Sequence, residues 1–357
     1  MRVIQSSYYP IFFEDSLSEL QNFLSTNSYS KVFVLVDTNT EQYCLPALQD
    51  TLTGLVDFDV VEIDPGEENK NIDFCIGIWK TLLDFGADRD SLLINLGGGV
   101  VTDMGSFAAS TFKRGIDFVQ IPTTLLAQVD ASVGGKTGID LDHVKNIIGT
   151  FTQPKAVFII PEFLETLDQR QVRSGFAEII KHGLIYDATF FRQVQQIQAH
   201  EVTPEIIYRS IEIKNEVVKT DPFEKGLRKI LNFGHTIGHA IESYSLANDP
   251  NPLLHGEAIA IGFICEGYLS MQQNELSKAD FIEIERTIFS LYPKYDLKES
   301  SFLDLMEIMK NDKKNNLGQI NCSLLNKIGQ CSIDHYCSEE EIQESLMYYL
   351  ATQSYSS

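Results

Sequence analysis

Apolar residues in the first half of the chain fall in short, nearly continuous runs, separated by stretches whose apolar positions recur every three to four residues. The runs are KVFVLVD (31–37), FDVVEID (58–64), SLLINLGGG (91–99), DFVQIPTT (117–124) and AVFIIP (156–161), rich in β-branched residues and bounded by Gly, Asp or Pro. Runs apolar on both faces predict buried parallel strands, and the helical intervals between them predict βαβ units. From residue 162 onward helical periodicity dominates, broken by loops such as NDPNPLLHG (248–256). A late pair, GQINCSLL (318–325) and GQCSID (329–334), predicts a small hairpin. The expected architecture is an α/β N-terminal domain over 1–161, Rossmann-like with a mostly parallel sheet. A mostly α-helical C-terminal domain over 162–357 follows it.

Composition narrows the class. A chain of 357 residues suits two domains, and no apolar run reaches the roughly 18 residues of a membrane span. The N-terminal stretch MRVIQSSYYPIFFEDSLSEL carries acids inside its apolar part and makes a poor secretion signal. Six cysteines (Cys44, Cys75, Cys265, Cys322, Cys331, Cys337) include no C-x-x-C pair, so they read as reduced core residues of a cytoplasmic protein. A net charge of −22 argues against nucleic acid as a partner, because duplex binding needs a basic face. It also sets a condition: an anionic ligand requires Lys and Arg gathered locally against the field of the whole chain.

LLINLGGGVVTDMGSFAAS (92–110) reads as strand, three glycines, helix. Such a turn cradles phosphate on backbone N–H groups at a helix N-terminus, or is a tight βα turn with no ligand; the G-x-G-x-x-G spacing is absent. Asp37 closes the first long strand, where an acid commonly binds an adenosine ribose. IPTTLLAQVDASVGGKTGIDLDHVKNIIG (121–149) crowds Thr123, Thr124, Asp130, Lys136, Lys145 and Asn146 among small residues and reads as a ligand loop, with Arg114 shortly before it.

LNFGHTIGHAIE (231–242) sets His235 and His239 one helical turn apart on one face. A zinc protease uses this spacing with a Glu after the first His. Thr236 stands there instead and cannot act as a base, so peptide hydrolysis is excluded. Glu178 in RSGFAEIIKHGLIY (173–186) and His255 in LLHGEAIAIGF complete, with His235, a two-His, one-carboxylate set suited to zinc with one position open. Lys181 lies three residues after Glu178. The second domain is therefore expected to bind metal, with the active site in the cleft between the domains.

Together GGGVVTDMG, IPTTLLAQVDASVGGKTGID, KNIIGTF, GFAEIIKHG, RKILNFGHTIGHAIE and HGEAIAIG resemble the 3-dehydroquinate synthase family of sugar-phosphate cyclases. The resemblance runs from about residue 30 to KNDKKNNLGQI (310–320) and departs at Thr102, where the family usually has Gly. It also departs in the late hairpin, where INCSLL replaces an Arg and aromatic pattern.

The resemblance implies zinc, with cobalt as a substitute, on Glu178, His235 and His255. It implies NAD+ on Asp37, Asn39, Glu67, Lys70, Gly98, Gly99, Val100, Asp103, Thr123, Thr124, Lys136, Lys145, Phe163 and Thr166. The substrate implied is a seven-carbon keto-acid sugar phosphate, 3-deoxy-D-arabino-heptulosonate 7-phosphate. It would be bound by Arg114, Lys136, Asn146, Lys181, Lys214, Arg228, Asn232, His239 and a lysine of DKK, Lys314 in preference to Lys313. His239, Lys181, Asn232, Asp130 and Glu224 are the implied catalytic groups, Glu224 orienting Arg228. The implied reaction of the shikimate pathway comprises transient oxidation by NAD+, phosphate elimination, re-reduction, ring opening and aldol closure. Arg114 implies a homodimer, since in this family it reaches into the partner's site.

The alternatives are another sugar-phosphate cyclase, a metal-dependent polyol dehydrogenase of the glycerol type, and a silent binding protein. Retention of Arg228 and Asn232 favours the acid substrate, and retention of the whole charged set disfavours the silent protein.

Overall fold

The computed structural model describes residues 2–141, 144–310 and 319–352. Two compact units divide the chain: Met1–Asp168 with Ile207–Pro222, and Gln169–Ile206 with Phe223–Ser357.

The first unit runs β1 (Val3–Gln5), β2 (Pro10–Phe12), α1 (Ser16–Thr26), β3 (Val32–Asp37), α2 (Thr38–Tyr43), α3 (Leu45–Leu52), β4 (Phe58–Ile63) and α4 (Ile72–Asp84). It continues with β5 (Leu92–Gly97), α5 (Gly99–Thr111), β6 (Asp117–Pro122), β7 (Lys136–Leu141), β8 (Val144–Phe151) and β9 (Val157–Phe158). Seven strands form one sheet in the order β1-β2-β9-β6-β5-β3-β4, parallel except for β1 against β2. The strand sequences explain this burial. Val32, Val34 and Val36 pack on one face with Leu20, Leu48 and Leu52 of α1 and α3, while Phe33 and Leu35 pack on the other with Ile78, Leu82 and Met104 of α4 and α5. Each such side chain contributes about 1.5–3 kcal/mol on burial, which is why β3 and β5 are apolar at nearly every position, whereas the edge strand β4 alternates and carries Asp59 and Glu62.

From β3 the chain winds outward to β4; from β5 it winds the other way, to β6 and β9. The order therefore reverses between β3 and β5, where open α/β sheets bind ligands beyond their strand ends. Leu35 pairs with Asn95, so two residues on, Asp37 and the first glycine of the turn end side by side.

Residues 121–149, expected as a ligand loop, contain a helical turn (Ala127–Ala131) and the antiparallel hairpin β7–β8. The hairpin has Gly138 opposite Gly149, and a Cβ on Gly149 would lie 2.0 Å from Thr137 O. Close backbone contact requires glycine there, and the glycines interrupt the β-branched residues Thr137, Ile139, Ile147, Ile148 and Thr150 of the two strands.

The second unit holds α6 (Gln169–Tyr186), α7 (Ala188–Val194), α9 (His235–Asn248), α10 (His255–Gln273), α11 (Lys278–Leu291), α12 (Phe302–Lys310), β10 (Ile320–Lys327), β11 (Gln330–Cys337) and α13 (Glu339–Ala351). Helix α8 (Pro204–Thr220) belongs to the first unit from Ile207 onward. Helix α10 is buried on all sides from Gly256 to Gly267, as a central helix must be, and β10 and β11 form the expected hairpin. Among the described residues, no helix is long and apolar enough to cross a membrane.

Candidate active site

Helix α5 opens at the strand-order reversal with Gly98 as N-cap and no side chain capping it, so its first N–H groups are aimed past the end of β5. A Cβ on Gly98 would come within 2.9 Å of the Thr124 methyl, which ties glycine to this cradle. Thr123 closes the opposite wall through its N–H to Gly97 O at 3.0 Å, and Thr124 Oγ1 accepts from Ala127 N–H at 3.2 Å. Thr102, the departure from the family pattern, is buried and turns its hydroxyl inward to Gly98 O and Gly99 O, both at 3.1 Å. The cradle is thus kept rather than filled.

Five predicted residues meet beside it. Lys70 Nζ donates to Asp103 Oδ2 at 2.7 Å and to Asn146 Oδ1 at 2.8 Å, and Lys145 Nζ lies 2.9 Å from Glu67 Oε1. Burial alone would lower the Lys70 ammonium's pKa, but the Asp103 and Glu67 carboxylates outweigh it and raise it. Asn146, expected at the substrate, stands in this group with φ 51°, its N–H on Asp140 Oδ1 at 2.6 Å.

Asp37 commits Oδ1 to the N–H of Thr40 at 2.8 Å as the N-cap of α2, with Asn39 exposed on the same helix. Lys214 is buried and pairs with Asp130 at 2.6 Å. Lys136 is exposed at the start of β7, and Val100 is partly buried in the first turn of α5. Phe163 packs its side chain into the sheet core, so any cofactor contact there falls to its backbone, while Thr166 is exposed. Arg114 is exposed on a turn at φ 71°.

In the second unit, Glu178 on α6 is fully buried. His235 and His255, the first residues of α9 and α10, each place Nε2 3.4 Å from the same oxygen, Glu178 Oε1. Donors about 2.0–2.1 Å from a zinc at tetrahedral corners stand about 3.3–3.4 Å apart, so the spacing fits a shared cation. The outer nitrogens agree. His255 Nδ1 meets Glu242 Oε2 at 3.2 Å and His235 Nδ1 meets Phe233 O at 3.0 Å. A carbonyl and a carboxylate only accept, so both Nδ1 atoms donate; in the neutral rings that a metal requires, both Nε2 lone pairs then turn inward, the arrangement of metal-binding histidines.

His239 joins them, with one donor atom of each of the three imidazoles within 4.8 Å of the others. Lys181, also buried, pairs with Glu178 and sits 3.4 Å from His235 Nε2. Burial opposes charge on Glu178, yet Lys181 and His235 hold its carboxyl well below the usual range. Burial and Lys181 lower His235 to about 4, whereas at His255 Glu242 and Glu178 outweigh burial and push it up to about 9. Glu242 was missed from the sequence, although it lies seven residues after His235 on one helix face.

The start of α10 is braced. Glu257 takes Arg170 through both oxygens (Nε 2.9 Å, Nη2 2.7 Å) and accepts from Leu254 N–H at 2.9 Å. Arg228 is buried on the turn Leu227–Asn232, and Asn232 Nδ2 donates to Glu224 Oε1 at 2.8 Å. The role expected of Glu224 is to orient Arg228; the bond the structure gives it is to Asn232. Lys313 and Lys314 lie outside the described residues.

The family model for the N-terminal part of 3-dehydroquinate synthase matches residues 60–174, and that for its C-terminal part matches residues 175–315. The 3-dehydroquinate synthase of Parabacteroides distasonis is 42% identical over 340 residues, covering 94% of this chain and 96% of the relative. The chain belongs to the 3-dehydroquinate synthase family. The fold is shared with other synthases of known structure. A 2-deoxy-scyllo-inosose synthase complexed with carbaglucose-6-phosphate, NAD+ and Co2+ superposes with a TM-score of 0.86 at 23% identity, over 97% of this chain and 99% of that one. The 2-epi-5-epi-valiolone synthase of Streptomyces hygroscopicus subsp. jinggangensis 5008, with NAD+ and Zn2+ bound, superposes at 0.81 and 25% identity, over 98% of each chain.

Proposed function

We propose that the chain is the 3-dehydroquinate synthase of the shikimate pathway, converting 3-deoxy-D-arabino-heptulosonate 7-phosphate to 3-dehydroquinate and phosphate. The observation that carries the reading is the pair of imidazole Nε2 atoms converging on Glu178 Oε1, with both Nδ1 atoms engaged behind them. When bound, NAD+ supplies reversible hydride acceptance and zinc or cobalt supplies a Lewis acid.

Glu178, His235 and His255 hold the metal. The uncapped start of α5 takes the cofactor's pyrophosphate, with Thr123, Thr124 and the Lys70, Asp103, Glu67 and Lys145 group around it. The planar fork of Arg228 grips the substrate carboxylate, while Lys136, Lys181 and Lys214 offer point charges to phosphate. His239 and Asn232 hold the substrate hydroxyls and move protons, with Asn232 fixed by Glu224. Arg114 completes the site of a second copy, making a cytoplasmic homodimer.

The deciding assay supplies NAD+, Zn2+ and the keto-acid phosphate and follows phosphate, 3-dehydroquinate and NADH. The expected result is equal phosphate and 3-dehydroquinate with no net NADH. Accumulating NADH would assign a polyol-type dehydrogenase, and phosphate release only from a sugar phosphate without a carboxylate would assign another cyclase.

Arg228→Lys keeps the charge and loses the fork. The expected result is a KM about 10–100-fold higher, the 1.5–3 kcal/mol of a hydrogen bond to a charged group. Steady-state kinetics matching the wild type would remove Arg228 from carboxylate recognition.

A further inference from the structure

Helix α9 begins without a cap of its own. Its N-cap residue Gly234 is left-handed (φ 79°), and a Cβ there would meet the Phe263 ring at 2.4 Å. Opposite, a Cβ on Gly262 would lie 1.9 Å from Gly234 O. The two backbones touch, so no capping side chain fits at position 234 and the acceptor must come from another element. Glu266 supplies it. It stands one turn beyond Gly262 on the same face of α10 and is fully buried. It accepts from Gly234 N–H at 2.6 Å through Oε2 and from Ile237 N–H at 2.9 Å through Oε1.

The Gly234 N–H belongs to the same peptide group as the Phe233 carbonyl, and in a trans peptide the two point in opposite directions. Phe233 O is the acceptor for His235 Nδ1–H at 3.0 Å. One continuous path therefore runs from the Glu266 carboxylate, through a single peptide group, to the imidazole whose Nε2 faces Glu178. At His255 the same connection is direct, Nδ1 to Glu242.

We propose that Glu266 is a positioning residue of the metal site: acting through the 233–234 peptide, it fixes the tautomer and orientation of His235 and strengthens it as a donor. This rests on the reading of His235 as a metal ligand. A carboxylate accepting the amide N–H polarises that amide and makes its carbonyl a better acceptor, and negative charge is favoured at the start of a helix. Glu266 also fixes the first turn of α9 at both ends, through its N-cap and its third residue, so the His235 backbone cannot tilt without breaking one of the two bonds.

The test is Glu266→Gln in the full chain, stripped of metal and reloaded. The amide keeps one acceptor oxygen and turns an NH2 toward a backbone N–H. Zinc affinity, measured by competition with a chelating dye, is expected to fall about 10–100-fold, the usual effect of losing a partner behind a metal-binding histidine. The visible spectrum of the cobalt-loaded enzyme is expected to change, with NAD+ affinity unaltered. Glu266→Asp keeps the charge but withdraws it by one methylene, and is expected to fall between the two. A merely structural role would lower the melting temperature of the metal-free protein and leave zinc affinity and the cobalt spectrum as in the wild type; that result overturns the proposal. Should Glu266→Gln not fold, Glu266→Asp decides on the same two readouts. A wild-type chain that binds no zinc would bring down the reading of the site and this inference with it. Tight zinc binding by both wild type and variants would bring down only the role of Glu266.

Discussion

His255→Ala is expected to lose bound metal and to lower kcat/KM about a thousandfold or more, the several kcal/mol that Lewis-acid stabilisation contributes, with the fold retained. The fold is expected to survive because His255 is the first residue of α10, its side chain 22% exposed, and the buried core face of that helix runs from Gly256 onward. The helix start is held separately by Glu257 and Arg170. Metal analysis, circular dichroism and turnover of one preparation check the three parts of this expectation. Full turnover by the variant, or by wild type after exhaustive chelation, would detach the imidazole cluster from the reaction.

The second large effect lies in the other unit and falls on stability. Lys70 is 3% exposed, and its ammonium serves both Asp103 and Asn146. Lys70→Met fills the volume but strands the Asp103 carboxylate, which is 20% exposed, so the cost falls toward the lower end of the range of about 3–5 kcal/mol for breaking a buried pair from one side. A melting point lower by on the order of 10 °C is expected, together with loss of NAD+ binding. Adding Asp103→Leu removes the stranded charge and should restore much of the stability without restoring NAD+ affinity. A single variant that melts with the wild type would show that the pair contributes nothing net.

How far these features could be read in advance follows from the range of the signals. The runs at 31–37 and 91–99 became β3 and β5 because a strand covered on both faces must be apolar throughout, and the sequence records that directly. The strands β1 and β2 are three residues each, too short to carry a period. The hairpin β7–β8 hid behind glycines that its close backbones require. At the site, His235 and His239 were visible one turn apart, and the motifs pointed to Glu178 and His255. Glu266 could not be found in the same way, since its partners lie 29 and 32 residues away; Glu242 shares the His235 helix face, but its partner His255 lies 13 residues off on another helix. Long-range hydrogen bonds leave no local period.

The crossing at Gly234 and Gly262 has a practical consequence for anyone altering this protein. Because the imidazole-bearing helices meet backbone to backbone, they behave as a single casting. A substitution as small as one methyl group at either glycine would be felt first as failed assembly in the cell, long before any assay of turnover. Efforts to change metal preference should therefore exchange donor side chains and leave that seam untouched.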